Sequence, residues 1–183
     1  TSAIIFYWGI KKTFDKLKLH NIFFSNCYKD EFHEISSQNN VPEDPTIYIN
    51  ISSKERQKDA PKNCENWFVM INTPPNNGQN WDAIIAKARI NVIKKLERIL
   101  GTSIEPHIVF ERILDPRSIE AKTASFQGAL YGTASNDKKA AFFRHPNFSK
   151  SVEGLYFCGG SVHPGGGIPL ALSSAKIVDT LIK

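Results

Sequence analysis

The sequence predicts an α+β domain followed by a shorter strand, glycine crossing and helix of α/β character. Three observations carry this expectation: a series of apolar or alternating strand-like segments, one long amphipathic helix among them, and a glycine-dense crossing that opens a second helix near the C-terminus.

The first segment, Ser2 to Ile10, is aromatic and β-branched and predicts a buried strand. A charged turn (Lys11 to Lys18) follows, then a second strand over Asn21 to Ser25 and one or two helical turns over Asp30 to Gln38. Pro42, Asp44 and Pro45 make a loop, because the residue before a proline is pushed out of the helical region. Thr46 to Ser52 alternates, with Ile47, Ile49 and Ile51 on one side, and predicts a half-buried strand. The polar run Ser53 to Asn63 is a loop, and Trp67 to Asn72 is a strand closed by the turn cluster Pro74 to Gly78.

The clearest helix is Trp81 to Leu100. Asn80 is its N-cap and Gly101 its left-handed C-terminal cap. Trp81, Ile84, Ile85, Ala88, Val92, Leu96 and Ile99 make one apolar face, and Lys94, Lys95 and Arg98 complement the dipole at its end. A strand over His107 to Leu114 is broken by Asp115-Pro116, a short helix follows over Arg117 to Ala124, and Phe126 to Pro146 is loop.

At 183 residues with 41% hydrophobic content, the chain is long enough to bury a core. The net charge of +5 is spread along the chain, which reads as a solvated surface and argues against nucleic-acid binding. Weak attraction to anionic lipid headgroups is compatible with it. Cys27, Cys64 and Cys158 form no CxxC pair, so neither a zinc site nor a disulfide framework is indicated, and a reducing, cytoplasmic setting fits. The apolar run Ala3 to Ile10 lacks the flanks of a signal peptide and falls short of the roughly 20 residues that span a bilayer. With no Met and a strand under way at Ser2, the start reads as a fragment boundary.

Chemistry concentrates in the last thirty-odd residues. Gly154 to Cys158 predicts a short apolar strand with Cys158 buried in it; Gly159 to Gly167 is the glycine-rich crossing; Ile168 opens a helix with Ala171, Ala175, Val178 and Ile182 along one face. Pro169 suits the first turn, where its missing N–H is not needed. Glycines let a flat or anionic ligand approach the backbone, and the free N–H groups and positive dipole end of a helix favour electron-rich groups. No GK[ST] follows the glycines and no G-x-G-x-x-G exists in the chain, so neither a P-loop nor a dinucleotide fingerprint is present. From the residues alone, a ligand at a helix N-terminus and a plain structural turn both remain open.

The stretch Gly159-Gly-Ser-Val-His-Pro-Gly-Gly-Gly-Ile-Pro169 resembles the C-terminal motif of the bacterial carotenoid (phytoene-type) desaturases, in the flavin-containing amine oxidoreductase superfamily. Weaker similarity runs through Tyr7, Gly9, His20 to Phe24, Asp44 to Ile49, Pro74-Pro75 and Phe126 to Gly132. The resemblance implies a Rossmann-like FAD domain interrupted by a mixed-sheet substrate domain. Residues 1 to 115 would then be substrate-domain portion and 116 to 183 the C-terminal portion of the FAD domain. It further implies FAD as cofactor, with Gly159, Gly160 and Ser161 near the pyrophosphate and ribityl chain. Gly167, Ile168 and Pro169 would be directed at the electron-rich N1–C2 edge of the flavin. The missing partner is the N-terminal half of the same polypeptide, which grips the ADP moiety. The implied reaction is desaturation of a carotenoid or related isoprenoid polyene, with peripheral membrane contact because such substrates are insoluble. At Gly160-Ser161-Val162 the motif resembles hydroxy- or methoxycarotenoid 3,4-desaturases more than phytoene desaturases.

Single residues carry competing readings. His163 is a tunable base or a loop-shaping residue before Pro164; Arg144 and His145 face a ligand or build the loop. Phe6, Tyr7, Trp8, Phe23, Phe24, Trp67 and Phe68 line a polyene tunnel or form sheet core. A retinol-saturase-like or amine-oxidising flavoprotein of the same superfamily and a non-catalytic lipid-binding fragment are the alternatives to desaturation.

Overall fold

The computed structural model describes residues 1–132 and 144–182. The chain forms two compact units, Thr1–Gly128 and Ala129–Lys183. The turn after the third helix packs with the first unit: Ser2 Oγ donates to Gly128 O at 2.6 Å.

The N-terminal unit is α+β, as expected. Its strands are β1 (Ser2–Ile10), β2 (His20–Phe23), β3 (Ile47–Asn50), β4 (Glu65–Thr73) and β5 (Ile108–Leu114), in the sheet order β2-β3-β4-β1-β5. The family resemblance implied a mixed sheet, whereas every pairing described is antiparallel. β1 nonetheless lies between β4 and β5, so these two run parallel and are joined across it by helix α2 (Trp81–Leu100).

Alternation decides which side of the sheet is dry. Ile4, Phe6, Trp8 and Ile10 of β1, Ile47 and Ile49 of β3, and Trp67, Val69 and Ile71 of β4 point to one face. There they pack with Trp81, Ala88, Val92, Ile93 and Leu96 of α2. Both ends of α2 close as the sequence predicts. Asn80 accepts from Ala83 N at 3.2 Å, and Gly101, at φ 66, ends the helix. Ile99 departs from the predicted apolar face and is 46% exposed.

Helix α1 (Tyr28–Ser37) is longer than the one or two turns expected, and Ser53 to Asn63 contains two short 3₁₀ turns. Helix α3 (Pro116–Thr123) starts with Asp115 and Ser118 in a reciprocal capping box. Lys95, although charged, is buried on α2. It donates to Pro45 O at 2.8 Å and Phe24 O at 2.9 Å and pairs with Asp44 at 2.7 Å, tying the loops beside α1 to the long helix. The two outer strands are short or charge-bearing, which blunts the sheet edges.

In the C-terminal unit the predicted strand Gly154 to Cys158 is only an isolated antiparallel bridge between Phe148 and Tyr156. A strand needs neighbours for its N–H and C=O groups, and among the described residues of this unit no second strand supplies them. Cys158 is correspondingly exposed, not buried. Part of the loop predicted over Phe126 to Pro146, with Lys138 and Lys139, lies outside the described residues. Helix α4 (Ile168–Ile182) forms where expected, but the inward side runs through Ala171, Ser174 and Val178, while Ala175 and Ile182 are exposed.

Candidate functional site

The glycine-rich crossing is a folded turn, and its glycines divide into two groups. A side chain added at Gly166 would meet Tyr131 Cδ1 at 2.6 Å, and one at Gly165 would meet Arg144 Nε at 3.1 Å. Gly160 lies 3.4 Å from Gly166 Cα by the same construction. At Gly166 and Gly165 the turn packs on itself, whereas the contact at Gly160 is an ordinary van der Waals one. Gly159 (φ +120) and Gly167 (φ +102) are different: nothing lies within 4 Å of an added Cβ at either. Their backbone faces open space in a conformation that side chains disfavour.

One buried amide organises the turn. The two N–H groups of Asn147 Nδ2 are shared among Phe157 O at 3.0 Å, His163 O at 2.9 Å and Ser174 Oγ at 2.8 Å. Ser174 also accepts from Gly159 N at 3.1 Å. The stretch before the crossing, the middle of the crossing and helix α4 are therefore held by two side chains. Sequence reasoning missed both. A serine on the inward side of an apolar helix was the available signal; Asn147 carried no spacing that marked it.

Arg144 Nη1 donates to Tyr131 O at 3.2 Å and Gly160 O at 3.4 Å, and His163 N donates to His145 O at 2.9 Å. His145 packs edge-on against Phe157 with ring centroids 4.9 Å apart. Arg144, His145 and His163 thus all contribute to the loop itself. The His163–Pro164 peptide is cis.

At the far side of the turn α4 begins. Its first helical hydrogen bond runs from Ala171 N to Gly167 O at 2.9 Å, so the N–H groups of Ile168 and Leu170 have no partner within the helix, and Pro169 has none to offer. Ile168 is 79% exposed, leaving the helix start open. Of the predicted site residues, Gly167, Ile168 and Pro169 form this helix start, while Gly159 is held through its N–H by Ser174 farther along α4. Gly160 is turned into the loop, and Ser161 backs onto Gly132, whose added Cβ would meet Ser161 O at 2.9 Å. Open glycine backbone beside a helix N-terminus fits a flat, electron-rich group such as an isoalloxazine. Among the described residues, no group of three His, Cys, Asp or Glu is arranged to hold a metal.

The aromatic residues of the sheet separate by face. Phe6, Trp8 and Trp67 are core, which removes them as tunnel candidates; Phe23 packs at the core margin and Phe24 is exposed. Tyr7 and Phe68 stand on the opposite, open face, with ring centroids 5.6 Å apart.

With this geometry in hand, comparison with known proteins gives the relatives of the chain. The chain is 58% identical over 182 residues to a 1-hydroxycarotenoid 3,4-desaturase of a Flavobacterium species, covering all of this chain and 37% of that protein. It is 35% identical to a 4,4'-diaponeurosporene oxygenase of Staphylococcus haemolyticus and 33% identical to one of Staphylococcus aureus, covering 98% and 99% of this chain. The chain is similar over nearly its whole length to these carotenoid desaturases and oxygenases, and it spans little more than a third of their length. No protein-family profile matches it.

Proposed function

We propose that this chain is the C-terminal part of an FAD-dependent desaturase that acts on a hydroxylated carotenoid in carotenoid biosynthesis. The observation that carries the reading is the glycine-bordered, exposed start of α4 in a chain 58% identical to a 1-hydroxycarotenoid 3,4-desaturase. FAD, when bound, supplies the two-electron acceptor for removing two hydrogens from adjacent carbons. This chain's own contribution is to bind and to orient. Gly159 and Gly167 leave the backbone bare for the flavin, and the N–H groups at Ile168 and Leu170 offer fixed dipoles to its electron-rich edge. Gly160 and Ser161 hold the turn that sets that approach.

Residues 1 to 115 would serve the substrate domain and the remainder the flavin domain, completed by the N-terminal half of the polypeptide. The exposed Leu170, Leu172, Leu181 and Ile182 of α4 support that missing partner. Phe148, Val152 and Leu155, exposed around Lys150, support peripheral contact with lipid. Among the described residues no helix is long and apolar enough to cross a membrane.

The test is purification of the full-length polypeptide, its absorption spectrum, and product analysis on a 1-hydroxycarotenoid and on phytoene. Flavin bands with a product lighter by two hydrogens support the reading, and turnover of phytoene alone overturns the substrate assignment. A product gaining oxygen would favour the chemistry named for the staphylococcal relatives.

A further inference from the structure

The open face of the sheet carries an ordered pattern that the flavin reading leaves unused. Because paired residues of antiparallel strands share a face, the register sets Tyr7, Phe68, Asn50 and His20 in one row across β1, β4, β3 and β2. Ile5, Met70, Tyr48 and Ile22 form the next row. The rings make a continuous ladder: Tyr7 to Phe68 at 5.6 Å, Phe68 to Tyr48 at 6.2 Å, and Tyr48 to His20 at 6.1 Å with the planes 20° apart. Four strands spaced by about 4.8 Å give it a reach of about 14 Å. Tyr7 is 37% and Ile22 56% exposed, so the ladder is accessible.

At its β2 end the ladder turns polar, and the hydrogen bonds there determine which atoms are left for a ligand. Asn50 Nδ2 donates to Leu19 O at 3.2 Å, which sets the orientation of the amide. The same nitrogen lies 3.3 Å from His20 Nδ1. The Tyr48 hydroxyl is hydrogen-bonded to that Nδ1 at 2.8 Å, which occupies one side of each group. In either tautomer of the imidazole the Tyr48–His20 pair keeps one donor and one acceptor for a ligand. A hydroxyl both donates and accepts, so it can satisfy the two together; a methyl ether can satisfy only the donor, and a hydrocarbon end neither.

We infer that His20 and Tyr48 recognise the hydroxyl end group of the polyene, with Phe68, Met70 and Tyr7 carrying the apolar chain beside it. This rests on the desaturase reading above. A site that hydrogen-bonds a hydroxyl discriminates against the analogue lacking one, because its polar atoms would then lose water without gaining a partner.

The experiment uses the intact flavoenzyme, with a 1-hydroxylated polyene and its non-hydroxylated counterpart as substrates. Tyr48→Phe keeps the ring and removes the oxygen. The expected result is an about tenfold loss of kcat/KM on the hydroxylated substrate, expressed in KM, with kcat and the other substrate unchanged. His20→Gln, at an exposed position, carries the same readout should Tyr48→Phe fail to fold. Equal slowing on both substrates, or an unaltered preference, overturns the assignment. If the wild type turns over neither polyene, the desaturase reading itself fails and this one falls with it; if it turns over both and the variants keep the preference, only the recognition role falls.

Discussion

The side-chain amide of Asn147 donates to the hydroxyl of Ser174 at 2.8 Å, and both residues are buried. One interaction thereby joins the segment before the glycine crossing to the helix after it. Asn147→Leu would leave the carbonyls of Phe157 and His163 without their donor, at a cost of about 1–3 kcal/mol. Ser173→Ala, one residue away on the exposed side of α4, should stay within about 0.5 kcal/mol of wild type. Denaturant unfolding of the intact protein compares the two.

The glycines offer a sharper separation of folding from binding. Gly154 (φ +73) and Gly167 (φ +102) both lack neighbours within 4 Å of an added Cβ. Alanine at either should cost about 1–3 kcal/mol through backbone strain. Gly167, unlike Gly154, immediately precedes α4, so under the flavin reading proposed above Gly167→Ala alone should lower the flavin-to-protein absorbance ratio of the full-length protein.

Adjacent aromatic residues on β4 should behave oppositely. Trp67 is 1% exposed and hydrogen-bonds through its indole to Glu65 at 2.7 Å, so Trp67→Ala should cost about 3–5 kcal/mol. Phe68 points to the open face. Phe68→Ala should cost about 1 kcal/mol of stability and raise KM for the polyene, a contrast that thermal melts and steady-state kinetics can read together.

Alternation and capping make much of the N-terminal unit legible in the sequence itself. Nine residues of β1 and the whole of α2 follow from apolar period, Asn80 and Gly101, because local chemistry there agrees with the packing. What sequence could not assign was the face of each aromatic. Phe6, Tyr7 and Trp8 are equally apolar in composition, and only the pairing register separates the core pair from Tyr7. The glycine crossing was legible as a motif. The division between glycines packed inward and glycines left bare depends on Tyr131 and Arg144, which arrive from elsewhere in the chain. Gly154 to Cys158 reads as a strand because it is apolar, but pairing is a property of neighbours and not of the segment.

Acid should weaken the N-terminal unit through two carboxylates. Burial raises Asp44 and Asp115, but hydrogen bonds outweigh it. Lys95 and the Asn26 N–H hold Asp44 below its ordinary value of 3.8, and the Ser118 N–H and Arg117 do the same for Asp115. Groups depressed on folding stabilise the protein fully above 3.8, and that stability is lost as pH falls through the lowered values. Urea midpoints should therefore drop as the pH falls below about 4, and the drop should flatten in Asp44→Asn and Asp115→Asn.

Helix α4 turns Ile168, Leu172 and Ile182 toward water, each more than 60% exposed. Handled alone, the polypeptide should cling to itself, to detergent and to chaperones. The ease with which a preparation stays monodisperse becomes a practical gauge of whether that apolar side of α4 is covered.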